Sequence, residues 1–222
     1  MILDNAAYNI EQYNKMGLHY DLLARAIYQE RAKLSPFSSD YQRYIVAGLI
    51  GFDMGRIMGE GRHRYDPEQN SFAAWLQREL PRVEPYLRDL TCVGLDGIDL
   101  DRHGSSIQQV YNRLALTPLD KKEEGAKTFH VGTTKVLHWL VPELFIMVDQ
   151  NVARAFHESH GVRYRQSTQP GYSAEKYIHC LGCAQKEIVT YGVDRFRSHE
   201  PGTPLARLFD KVAWVTGMKD RA

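Results

Sequence analysis

An acid opening one helix, and a glycine turn with a lysine opening the helix before it, make residues 130–156, HVGTTKVLHWLVPELFIMVDQNVARAF, the stretch of this chain equipped for chemistry. Val131-Gly132-Thr133-Thr134 reads as a short hairpin turn. Its backbone N–H groups would stand at the start of a helix carrying Lys135, Val136, Leu137, Trp139 and Leu140, an arrangement suited to a phosphate. Pro142 ends that helix, the apolar run Leu144-Phe145-Ile146-Met147-Val148 follows, and Asp149 precedes a new helical pattern of Val152, Ala153, Ala155 and Phe156. A carboxylate is thereby delivered beside a phosphate-gripping turn. Taken singly, Asp149 and Asn151 are ordinary helix caps, Lys135 a solvated lysine, and Trp139 with Leu140 a core stripe; only the combination points to a site.

These 27 residues resemble the helix-hairpin-helix superfamily of DNA glycosylases, as a divergent member. That family is marked by a Gly-hydrophobic-Gly hairpin, a helix, and an aspartate in a Val-Asp-x-x-Val setting at the next helix start. Here the setting is Val148-Asp149-Gln150-Asn151-Val152. The resemblance implies an all-α, glycosylase-like fold with two helical lobes and a cleft between them. It also implies an enzyme that flips a damaged or modified base out of double-stranded DNA and hydrolyses its N-glycosidic bond. In such a reaction positive charge grows on the deoxyribose as the base leaves, and a carboxylate beneath the ring stabilises it and orients water. Asp149 takes that catalytic role. Val131, Gly132, Thr133, Thr134 and Lys135 become DNA-binding residues.

The chain differs from the family pattern at three places. His130 stands where members carry the first hairpin glycine, and the helix leading toward Asp149 is about one turn, roughly 5 Å, shorter. Members that also cut the strand place a nucleophilic lysine two residues after the second glycine. That position is Thr134 here, and Lys135 comes one later, turned by roughly 100° around the helix. The expectation is therefore a monofunctional enzyme leaving an abasic site, without the Schiff base of a lyase. A bifunctional glycosylase/lyase using Lys135, a non-catalytic DNA-binding module and a helical scaffold without a DNA role stand as alternatives. Oxidised or alkylated purines, mismatched bases, uracil and hypermodified cytosines of phage DNA are all open as substrates.

Composition limits these readings. With 222 residues and 43% hydrophobic residues the chain can bury a substantial core. The formal net charge is only +1, unlike strongly basic nucleic-acid-binding domains. Residues 150–222 hold 11 Lys/Arg against 7 Asp/Glu, which predicts a basic C-terminal face. No bilayer-length apolar stretch or N-terminal signal pattern is read, so a cytoplasmic location is expected. Cys92, Cys180 and Cys183 suit a reducing compartment, and Cys180 and Cys183 read as buried helical residues. Neither a metal nor any other cofactor is expected.

The elements that must position Asp149 are helical throughout. Periodicity predicts helices over 7–16, 20–33, 40–58, 71–90, 105–116, 133–140, 151–159, 173–191 and 203–216, with caps at Ser105 and Ser173 and stops at Gly61 and Gly192. The expected organisation is a single glycosylase-like unit over 1–222. It divides approximately into an N-terminal helical lobe (1–104), a helix-hairpin-helix and catalytic segment (105–160) and C-terminal helices (161–222). Arg163 and Arg165, with Tyr164, lie in the polar loop after the Asp149 helix and are further candidates for DNA contact. In the predicted helix 40–58, Gly48, Gly51, Gly55 and Gly59 form a stripe that predicts close helix packing, since glycine costs a helix roughly 1 kcal/mol against alanine. Asp53 and Arg56 of that helix, with Trp139, are candidates for a base pocket.

Overall fold

A computed structural model describes residues 1–16, 18–52, 71–117, 129–163 and 173–218. Among these there are ten α-helices and no strand, in agreement with an all-α architecture. In chain order they are α1 (Ala6–Met16), α2 (Leu18–Arg31), α3 (Ser39–Gly51), α4 (Ser71–Leu87), α5 (Leu100–Leu116), α6 (His130–Leu140), α7 (Gln150–His160), α8 (Ala174–Tyr191), α9 (Val193–Arg197) and α10 (Leu205–Met218). A 3-10 turn, Ile2–Asn5, precedes α1. No described helix is long and apolar enough to cross a membrane.

Local signals account for six of the helix ends. Ser38, Asp99, Asp149 and Ser173 cap α3, α5, α7 and α8, each with a side-chain oxygen accepting a first-turn N–H. Gly161 stops α7 at φ +67° and Gly192 stops α8 at φ +98°, where a side chain would be strained. One expected start is corrected. Helix α5 begins at Leu100 because Asp99 accepts the Arg102 N–H, so Ser105 is an interior residue and the boundary expected at residue 104 falls inside a helix. The stop expected at Gly61 lies outside the described residues.

One contiguous apolar core runs from Ile2 to Ala213. Helix α10 sits deep within it, with every residue from Leu205 to Ala213 buried. It packs on α1 and α7, joining the two ends of the described chain. The glycine stripe acts as expected where it is described. A methyl group at Gly48 would lie 2.8 Å from Trp139 Nε1, and one at Gly51 would lie 2.2 Å from Leu23 Cδ2. Helices α4 and α5 run antiparallel, with Trp75 Nε1 donating to the Thr117 carbonyl and Glu79 meeting Arg113 one turn further along α4.

Candidate active site

Residues 145–148 are the non-helical backbone that leads to Asp149, and they are buried. Without a strand partner, such peptide groups must be satisfied by side chains. Four consecutive residues are held in this way. His138 Nδ1 lies 2.6 Å from the Phe145 carbonyl oxygen, and Tyr177 donates to the Ile146 carbonyl at 2.8 Å. Asp210 accepts the Met147 N–H at 2.8 Å, and the Thr134 hydroxyl accepts the Val148 N–H at 3.0 Å. The grips come from α6, α8 and α10. The carbonyl contact assigns the His138 proton to Nδ1, so Nε2 accepts from the Tyr28 hydroxyl at 2.6 Å. Burial pushes the His138 pKa down to about 3, keeping the ring neutral in this role.

Asp149 follows directly, half-buried at the head of α7. Its Oδ1 accepts the N–H groups of Asn151 and Val152 at 2.9 and 3.0 Å, and its Oδ2 accepts Trp214 Nε1–H at 3.0 Å. An ionised carboxylate has about four acceptor positions, so these three donors leave roughly one for a ligand. Trp214 reaches Asp149 because α10 and α7 touch backbone to backbone. A methyl group at Gly217 would lie only 1.9 Å from the Asn151 carbonyl oxygen, and Arg154 clamps the crossing by donating to the Gly217 carbonyl at 2.8 Å. The Trp214 ring is fixed from its other side by an edge contact with Tyr13 at 5.4 Å.

Beneath this site α10 carries a charged network inside the core. Lys211 Nζ binds Asp21 Oδ2 and Asn14 Oδ1, both at 2.8 Å, and reaches Glu200; Arg207 binds Asp21 at 3.0 Å and Tyr13 at 2.8 Å. Burial raises the Asp210 carboxyl well above the usual range, against the opposing pull of Arg207 and the Met147 N–H. Sequence reading missed these residues and Trp214. The available signal was the spacing of Arg207, Asp210 and Lys211 at i, i+3 and i+4 on an otherwise apolar helix. Arg207 and Lys211 are internal and paired, so neither belongs to the basic C-terminal face expected from the sequence.

The structure revises the turn ahead of α6. Residues 131–134 are already helical, Phe129 is the N-cap, and Thr133 N–H bonds the Phe129 carbonyl at 2.8 Å. The Phe129 ring lies over Gly132, where a methyl group would fall within 1.9 Å of it. Glycine at this position therefore makes room for an aromatic ring. Val131 is half-buried, while Gly132, Thr133 and Thr134 are buried. The Thr134 hydroxyl grips Val148, a positioning role that the sequence reading, which gave the turn a phosphate through its backbone N–H groups, did not contain. His130 is buried at the first position of α6 with Nδ1 3.1 Å from the Tyr111 hydroxyl, and burial brings its pKa down to about 4.

Neither family models, nor curated proteins, nor solved structures give a match to this chain. The site is therefore built from its own geometry. Lys135 is 7% exposed, with Nζ 3.4 Å from the Phe52 carbonyl oxygen and 4.9 Å from the Phe52 ring centre. Its ammonium is engaged with Phe52 inside the protein, unlike the solvated helix lysine that Lys135 taken singly would be. Trp139 is fully buried among Tyr28, Phe52 and His138. Arg163 is exposed three residues after α7 ends, whereas Asp53, Arg56 and Arg165 lie outside the described residues. Asp149, Thr134 and Trp214 thus come together, with Lys135 one residue from Thr134 on the same helix. Among the described residues no cluster of three or more His, Cys, Asp or Glu is arranged to hold a metal ion. A shallow depression of about 340 Å³ lined by Glu143, Arg197, Ser198, Pro201, Gly202 and Thr203 includes none of these site residues.

Proposed function

We propose that this protein is a monofunctional DNA glycosylase of helix-hairpin-helix type, with Asp149 as the carboxylate beneath the reacting sugar. The observation that carries the reading is the preparation of Asp149: four consecutive gripped residues lead to it, and three N–H donors orient its carboxylate. A group that stabilises developing charge works best when its position is fixed before the reaction begins. The fourth acceptor position of Asp149 would face C1′ of a flipped nucleotide, or the water attacking it. As the base departs, the carboxylate stabilises the cationic sugar and orients that water. An abasic site remains.

Lys135 supports the monofunctional form. Its contacts with Phe52 hold its ammonium inside the protein, and a Schiff-base nucleophile needs a neutral amine at the sugar. A purely structural reading also has an observation in its favour, since each hydrogen bond of Asp149 among the described residues is one that a helix cap and its anchor would make. The experiment is base release from a panel of duplexes containing damaged, mismatched or phage-type modified bases, with and without hot alkali. The expected result is strand breakage only after alkali. Breakage without alkali would replace the monofunctional reading by a lyase, and no release across the panel would favour the structural one.

A further inference from the structure

Asp210 grips Met147 two residues before Asp149, yet few donors meet its own carboxyl group, which is 2% exposed. Oδ1 accepts the Met147 N–H, whereas Oδ2 is buried with no hydrogen-bond partner. The one cation within 4.0 Å among the described residues is Arg207, whose Nη1 stands 4.0 Å from Oδ2, beyond hydrogen-bond reach. Arg207 is pinned elsewhere. Its Nη2 donates to Asp21 at 3.0 Å and to Tyr13 at 2.8 Å, and its guanidinium lies over the Tyr13 ring.

Other buried carboxylates of this protein have more partners. Asp21 receives both Arg207 and Lys211. Glu187 accepts the N–H groups of Ile2 and Leu3 and lies 2.5 Å from His160 Nε2. Glu79 meets Arg78 and Arg113, each at 2.6 Å. Asp210 has a single donor, and that donor is a neutral amide. A carboxylate buried without pairing and several hydrogen bonds gives up its charge by holding a proton.

The surrounding elements do not supply the missing charge. Arg207 favours the ionised form, but burial outweighs it and Asp149 at the head of α7 acts against it as a like charge. Tyr13 of α1, Tyr28 of α2 and Tyr177 of α8 all feel the charge of Asp210, and none of them is a cation. His138 of α6, bonded to Tyr28, is kept neutral by burial. Lys211 is occupied by Asp21, Glu200 and Asn14.

We propose that Asp210 works as a neutral acid in the folded protein at neutral pH, gripping Met147 through its carbonyl oxygen and holding a proton on Oδ2, so that Asp149 is the single carboxylate at the end of the gripped segment. An unpaired O–H in the core costs far less than an unpaired charge. Two acids on neighbouring elements thereby divide their roles by environment, one met by three N–H donors and one by a single amide. The protonation of Asp210 does not depend on what Asp149 acts upon.

A group whose folded pKa is raised contributes its stability in full below the unfolded pKa, about 3.9 for aspartate, and loses it as pH rises toward the folded value. Folding of the chain then takes up one proton at Asp210. The experiment is urea unfolding of the full chain, wild type and Asp210→Asn, between pH 5 and pH 7. Asparagine keeps an oxygen for the Met147 N–H and carries no charge at any pH. The expected result is that the unfolding constant of wild type, divided by that of the variant, rises about tenfold per pH unit, roughly a hundredfold over the range. The buried histidines act in both chains and cancel from the ratio. A ratio that stays constant, or that levels off below pH 6, would overturn the proposal. Should the variant not fold, the carbon-13 shift of the Asp210 carboxyl in folded wild type at pH 6 decides. The shift of a neutral acid supports the proposal and that of a carboxylate overturns it. Neither readout uses base release, so failure here leaves the glycosylase reading intact, and failure of base release leaves Asp210 as described.

Discussion

The Thr134 hydroxyl lies 3.0 Å from the amide nitrogen of Val148, so the first turn of α6 directly fixes the residue before Asp149. The same hydroxyl donates to the Val131 carbonyl at 2.9 Å, which orients its lone pairs toward Val148. A side chain in the turn read from sequence as phosphate-binding thus serves to position the carboxylate.

Thr134→Val keeps the shape and removes the acceptor, leaving a buried N–H unpaired at a cost of about 1–3 kcal/mol. Urea unfolding should show that loss, and Thr134→Ser should recover most of it. Base release should fall in the valine variant by more than its unfolded fraction explains. Equal stability of the valine and serine variants would show that the bond contributes nothing.

The pairing of α7 with α10 depends on Gly217. A methyl group there meets backbone atoms of Asn151 at 1.9 and 2.7 Å, which cannot rotate aside. Gly217→Ala should therefore cost about 1–3 kcal/mol by overpacking. Gly104, inside α5, has nothing within 4 Å of the added methyl, so Gly104→Ala should stabilise by up to about 1 kcal/mol. Thermal melts of the two variants shifting in opposite directions would bear this out, and parallel shifts would contradict it.

Acid should destabilise the fold through two buried histidines. Burial lowers His130 to about 4 and His138 to about 3 from the ordinary 6.5, so the unfolded chain binds protons that the folded one refuses. Their contribution is complete above pH 6.5 and is lost as pH falls toward about 4 for His130 and about 3 for His138. Urea midpoints measured between pH 7 and pH 4.5 should decline, and His130→Gln should decline less steeply. A parallel decline in the variant would refute a titrating role for His130.

Trp214→Phe retains an aromatic ring beside Tyr13 and removes the only side-chain donor to Asp149 Oδ2 among the described residues. A hydrogen bond to a charged group contributes about 1.5–3 kcal/mol, so base release should fall by roughly tenfold or more if the bond is made in the transition state. Unchanged single-turnover release would show that Trp214 anchors the helix without tuning the carboxylate.

The helices were legible in the sequence because periodicity and local stops agree. The reading 7–16 became Ala6–Met16 and 173–191 became Ala174–Tyr191, with Gly192 the stop in both accounts. Asp149 was legible as the residue opening a helix. Its supports were not, because Tyr177 reaches Ile146 across 31 residues, Trp214 reaches Asp149 across 65, and Lys211 reaches Asp21 across 190. Glycine at position 132 suggested a hairpin since glycine permits a tight turn. Here it clears space for the Phe129 ring, a packing demand that leaves the same mark in sequence.

The most direct measurement is single-turnover base release by wild type, Asp149→Asn and Asp149→Ser on whichever duplex of the panel wild type cleaves, with melting curves in parallel. Asparagine and serine both cap helices about as well as aspartate, so the stability change should come mainly from the lost Trp214 bond, about 1.5–3 kcal/mol, and the melting curves establish that each variant is folded. The account predicts that release falls on the order of a hundredfold or more in both variants, since neither side chain carries the charge that stabilises the departing sugar. Folded variants that release base at the wild-type rate would contradict it and leave Asp149 as a helix cap.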